Sequence, residues 1–194
     1  MVAALPPYVA HVDRVTAADL PYSWRPGCPV PPAQLRRVRL RYVGFDGRSH
    51  VGALVVNERV VPDVVDVFRS LYRARFPIRR MRPIDAYRGS DDRSAAADNT
   101  SSFNCRKAVA PGAASWSMHA YGLAVDVNDV ENPYFENGRV IPPAGARFRD
   151  RSRVRPGMAV ERGALVRAFD RAGWGWGGRW GGSPDYQHFS TNGR

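Results

Sequence analysis

Residues 117–128 read SMHAYGLAVDVN. Leu123, Val125 and Val127 alternate as they would in a half-buried strand, yet an acid, Asp126, stands among them. A carboxylate in such a run is costly unless a cation or several hydrogen bonds compensate it. His119 lies upstream, beyond a glycine, Gly122, that lets the chain turn. A second acid–histidine pair, Asp185 and His188, sits in DYQHF near the C-terminus. Together these segments offer two imidazoles and one or two carboxylates. Three protein ligands with a fourth open position is the arrangement of a catalytic zinc site, whereas structural sites are closed by four ligands, often cysteines. The chain has 2 cysteines, Cys28 and Cys105, without CxxC spacing, so a zinc ion here would be catalytic. The two thiols are either buried and free or joined in a disulfide.

The flanking sequence sets the fold. RVRLRYVGFDGRSHVGALVV alternates on both sides of Asp46-Gly47, a strong turn signal, and predicts a β-hairpin over about 38–45 and 50–56. In VPDVVDVFRSLYRARF the apolar residues Val61, Val64, Val65, Phe68, Leu71 and Tyr72 share one helical face, with Pro62 suited to the first turn. FPIRRM then reads as a strand. Residues 85–118 carry little periodicity and read as a long loop, a kind of segment that is often functional. A strand is expected at 121–128, and a polar, proline-marked excursion at 129–158. ERGALVRAFDRAG reads as a second helix stopped by Gly173, and a last strand falls at about 185–190. Hairpins and helices are segregated, so a single α+β domain around an antiparallel sheet is expected. Residues 1–37 read as an extended arm packed on a domain of residues 38–194.

The chain of 194 residues can bury a real core. No apolar run approaches the roughly 20 residues that span a bilayer. The N-terminus, MVAALPPYVAHVDR, has prolines where a signal peptide would carry its apolar stretch. The formal net charge is +11, carried by arginines and a single lysine, Lys107. Such a surplus favours anionic surroundings, a nucleic acid or a bacterial cell wall. The arginines are scattered, and the densest cluster, RFRDRSRVR at 147–155, is interrupted by an acid; this argues against nucleic acid. Tryptophans in GWGWGGRW read as core packing for Trp174 and Trp176, while the glycines around Trp180 leave room for a ligand.

SMHAYGLAVDVN resembles the SxHxxGxAxD motif of zinc peptidases that cut bacterial cell-wall peptides, and DYQHF resembles their second motif. These are the VanY-like D-alanyl-D-alanine carboxypeptidases and the related L-alanyl-D-glutamate endopeptidases. FPIRRM, NTSSFNCR, ENPY and GWGWGGRW are similar to one branch of that family, and the resemblance covers roughly residues 38–190. It implies His119, Asp126 and His188 as zinc ligands and Asp185 as the general base. An offset of three on a flat strand would turn Asp185 and His188 to opposite faces, so Asp185 is expected in the turn before the strand. Arg106, or failing that Arg82, would hold the oxyanion or the substrate carboxylate. Ser117 would hydrogen-bond substrate or fix the turn before His119, and Trp180 would line the cleft.

The resemblance further implies an extracytoplasmic monomer acting on peptidoglycan stem peptides within an anionic cell wall, with no nucleic acid partner. Removal of terminal D-Ala and cleavage of L-Ala-D-Glu both remain open. The reading from another class is a catalytically silent cell-wall or nucleic-acid binding module that kept the fold. With the cell wall outside the reducing cytosol, and both cysteines in segments that lack periodic anchors, a Cys28–Cys105 disulfide is expected.

Overall fold

The computed structural model describes residues 4–109 and 115–194. Residues 1–3 of the expected arm and 110–114 of the expected loop lie outside the described residues. β1 (Ala10–Arg14), β2 (Leu35–Val43) and β3 (Ser49–Asn57) form one antiparallel sheet in that order. The β2–β3 register runs from Leu35 opposite Asn57 to Val43 opposite Ser49. Gly47 closes this hairpin with φ 73°, a left-handed conformation that glycine adopts without strain.

α1 (Val61–Arg73) follows, with Pro62 in its first turn. Its buried face is Val64, Val67, Phe68, Leu71 and Tyr72. Val61 and Val65, expected on that face, are only partly buried at its margin, and Val67 takes the central place. α2 (Asp91–Ala96) comes next, then β4 (Ala124–Asp126), the short hairpin β5 (Tyr134–Glu136) and β6 (Arg139–Ile141), α3 (Ala164–Arg171), β7 (Gly175–Trp176) and β8 (His188–Ser190). A second antiparallel sheet has the order β4-β8-β7. The main core lies between the two sheets and helices α1 and α3. Val38, Leu40, Leu54 and Val56 meet Phe68 and Leu71, and beyond them Val125, Phe169, Trp176 and Phe189. The architecture is α+β, with antiparallel sheets and a few helices, and among the described residues no helix is long and apolar enough to cross a membrane.

Four expectations need correction. FPIRRM forms no strand: Pro77 makes an isolated bridge to Val43, and Ile78 donates its N–H to the Val43 carbonyl. Proline has no N–H to continue a ladder, and Ile78 and Met81 both point inward, a spacing of three that a flat strand cannot give. The 85–118 segment holds α2, which Ser90 caps by accepting a hydrogen bond from the Arg93 N–H at 3.2 Å. The strand expected at 121–128 shrinks to β4, because Met118–Tyr121 is a 3-10 turn that ends at Gly122 in the left-handed conformation. A Cβ on Gly122 would stand 2.6 Å from the Asn57 nitrogen, so only glycine lets the chain pass β3 there. The 129–158 excursion contains the β5–β6 hairpin, turned by Asn137 and Gly138, both at positive φ.

Cys28 and Cys105 are joined in a disulfide across a sequence separation of 77. It ties the segment after β1 to the polar stretch 98–105, which runs between the two sheets. Phe103 donates its N–H to the Val55 carbonyl, and Ser101 and Asp126 exchange backbone hydrogen bonds at 3.0 and 2.9 Å. That stretch is buried despite its polarity because its backbone and hydroxyls are bonded, Ser102 Oγ to the Ala124 carbonyl at 2.6 Å among them.

Candidate metal centre

Three local structures deliver three side chains to one point. The 3-10 turn carries His119, with Ser117 Oγ accepting the His119 N–H at 3.3 Å at its start. β4 carries Asp126. β8 places His188 directly opposite Asp126 in the antiparallel register, so the two side chains leave the same face of the sheet. His119 Nε2 lies 3.1 Å from Asp126 Oδ2 and 3.2 Å from His188 Nδ1, and His188 Nδ1 lies 3.1 Å from Asp126 Oδ1. The donor atoms of the three all lie within 4.8 Å of one another, and all three residues are buried.

The far side of each ring is engaged. His119 Nδ1 lies 2.6 Å from the Ser102 carbonyl and His188 Nε2 3.3 Å from the Arg194 carbonyl oxygen. A carbonyl only accepts, so those nitrogens carry the protons, and the bare nitrogens of both rings face each other and the carboxylate. Two lone pairs and an anion that converge in a buried site call for a cation. Burial pushes the Asp126 carboxyl up, but His119 and His188 more than reverse it and hold it well below the usual carboxylate range. Burial likewise lowers the His119 imidazole, and Asp126 outweighs that, leaving it raised. The donor set, two neutral imidazoles and one carboxylate with an open side, fits a metal of the catalytic zinc type.

The cluster lies in a cleft of about 1010 Å³. Asp185 sits just before β8, bridged to Tyr134, with its N–H bonded to the Gly177 carbonyl at 3.0 Å. Its Oδ1 is sealed from solvent without a hydrogen-bond partner. Burial first, and the Asp126 charge second, push its carboxyl up to about 7, against the pull of His188 and Arg106. Arg106 lines the cleft and is ion-paired through Nε to Asp91. Arg82 is exposed and stands outside the cleft lining, with its backbone bonded both ways to the Asn99 side chain. Trp180 lines the cleft with its ring 5.4 Å from that of His188, and its indole N–H is fixed on the Gly193 carbonyl. Trp174 and Trp176 are buried in the core.

Three cleft residues carry no signal in the sequence: Asp91, Gln187 and Asp129. Asp129 is 3% exposed, lines the cleft and leaves Oδ1 without a partner. An acid in VNDVEN reads as a surface residue, and its burial depends on the tertiary course of the chain after β4.

The α+β domain thus gathers two imidazoles and a carboxylate in a cleft, a donor set suited to one metal ion. Residues 111–191 match the family model described as D-alanyl-D-alanine carboxypeptidase, which supports the resemblance to the VanY-like zinc peptidases and, with it, a peptidase. No curated protein and no solved structure gives a significant match.

Proposed function

We propose that the chain is a zinc-dependent peptidase that hydrolyses peptide bonds in the stem peptides of bacterial peptidoglycan, outside the cytosol. The observation that carries this reading is the convergence of His119 Nε2, Asp126 and His188 Nδ1 in a cleft, within the segment matched by the family model. These three residues would hold Zn²⁺. Bound there, the ion would supply Lewis acidity, polarising the scissile carbonyl and lowering the pKa of water towards 7.

The remaining steps belong to the chain's own groups. The Asp185 carboxylate, with its pKa raised to about 7, accepts the proton of the attacking water and passes it to the leaving amine. Arg106, held by Asp91 at the cleft wall, stabilises the oxyanion or holds a substrate carboxylate. Ser117 fixes the turn that presents His119, and Trp180 forms the wall beside His188. Residues 38–194 form the catalytic unit, with residues 1–37 as an arm fastened by β1 and the disulfide.

The test is digestion of purified peptidoglycan by the zinc-loaded protein, with and without a chelator, followed by mass analysis of the fragments. Loss of terminal D-Ala, or cleavage between L-Ala and D-Glu, that disappears with chelation is expected. Unchanged peptidoglycan in the presence of bound zinc would refute the proposal.

A further inference from the structure

The cleft runs against the charge of the whole molecule. The chain carries a net +11, yet the described lining includes six acids, Asp91, Asp92, Asp126, Asp129, Glu136 and Asp185, against two arginines, Arg106 and Arg194. One of those arginines is already committed, since Arg106 is ion-paired to Asp91. A divalent ion at the metal centre offsets only part of the remainder.

Within this lining Asp129 is the residue that no local role explains. It is 97% buried by its 3% exposure, and its Oδ1 has no hydrogen-bond partner. The nearby Asp98 cannot supply one, because its two oxygens accept from the Val130 N–H at 2.9 Å and from Arg79 Nε at 3.3 Å. Burial first, then the charges of Asp126, Asp98 and Asp185, push the Asp129 carboxyl up, so a cation beside it would be favoured. Gln187 also lines the cleft, and its Oε1 is buried and unpartnered. The Val127 N–H bonded to the Gln187 carbonyl at 3.0 Å joins the backbones that carry these side chains. Buried acceptors are normally satisfied, so orphaned ones on residues that line a cleft ask for a donor from the ligand.

The chemistry narrows the occupant. Among the described residues His119, Asp126 and His188 are the sole group that gathers metal-donor atoms, so a second metal ion has no coordination set here. A primary ammonium has three donors, no acceptor and one positive charge, which answers both the orphaned oxygens and the acidic wall. We propose that Asp129, together with Gln187, forms a subsite for a free primary amine of the substrate close to the scissile bond. This rests on the peptidase reading, and it restricts the substrate to stem peptides whose amino group is unsubstituted.

The test compares two pentapeptides, N-acetyl-L-Ala-D-Glu-L-Lys-D-Ala-D-Ala and the same peptide with the lysine amine acetylated, on the zinc-loaded full chain. Acetylation is expected to lower kcat/KM by at least about tenfold, the scale of a lost charge-assisted hydrogen bond. Asp129→Asn is expected to lower kcat/KM on the free-amine peptide by a similar factor and so to abolish the preference between the two peptides. Equal kcat/KM on the two peptides overturns the subsite, as does a free-amine preference that survives Asp129→Asn. Should neither peptide be cut, the peptidase reading fails, and the same pair is compared by calorimetry on the same protein. Binding of the free-amine peptide at least about tenfold tighter then upholds the subsite, and equal or absent binding overturns it.

Discussion

Replacing Asp185 by asparagine keeps the shape of the side chain and removes its basicity. Two effects of opposite sign follow from its surroundings. Its Oδ1 is sealed from water and unpartnered, and burial together with Asp126 lifts the carboxyl from an ordinary value of 3.8 to about 7. The unfolded chain gives up this proton near the ordinary value while the folded chain keeps it, so stability falls as pH rises from 3.8 to about 7. Above that window the ionised carboxylate withholds roughly 4 kcal/mol from the metal-free fold. Asparagine has no proton to lose, so the variant's Tm at pH 8, measured without metal, is expected to rise. Turnover is expected to move the other way, with kcat reduced by about 10² to 10⁴, or about 2.7 to 5.4 kcal/mol of barrier. The wild-type rate should fall about tenfold per pH unit below the pKa of the base, and that acid limb should vanish in the variant. The assay is kcat/KM on a D-Ala-terminated peptide from pH 5.5 to 9, with zinc content and Tm measured on the same preparations. A variant that keeps zinc and more than about a tenth of wild-type turnover, below the general acid–base range, would refute the assignment.

The other residues give separate outcomes. His119→Ala and His188→Ala are expected to lose zinc and activity together, and metal analysis showing undiminished zinc in either would remove that residue from the site. The disulfide closes a separation of 77 residues, which the chain-entropy model values at about 4.5 kcal/mol. The paired change Cys28→Ser and Cys105→Ser should therefore lower Tm by about 10 °C in calorimetry, and two thiols titrating in the unreduced native protein would contradict the bond itself. The net charge of +11 should make activity on whole cell wall fall with salt more steeply than activity on a short soluble peptide; equal salt sensitivity on both would remove the charge from wall binding.

Much of the fold is legible in the sequence where one local signal decides the outcome. Asp46-Gly47 between two alternating runs marks the β2–β3 hairpin, and the spacing from Val64 to Leu71 marks α1. The meeting of Asp126 and His188 depends on strand pairing between residues 62 apart, and it is legible through the resemblance of two short motifs to a known family. What escaped has physical reasons. Pro77 interrupts an apolar run that otherwise reads as a strand, and the sequence does not show that Ile78 and Met81 both turn inward. Ser90 caps a six-residue helix too short to show a period. Asn137-Gly138 is a turn signal in plain view, masked by strands of three residues each. Asp129 and the Asp91–Arg106 pair are invisible because burial and pairing of polar side chains arise only when distant segments meet.

The central claim is that His119, Asp126 and His188 hold one zinc ion in the cleft. Anomalous diffraction from crystals of the zinc-loaded protein, collected on both sides of the zinc absorption edge, tests it most directly. The expected result is a single anomalous peak about 2.0–2.2 Å from His119 Nε2, His188 Nδ1 and an Asp126 carboxylate oxygen, with Asp185 outside the coordination shell. No peak between these residues, or a peak coordinated by Asp185 in place of one of them, would contradict it.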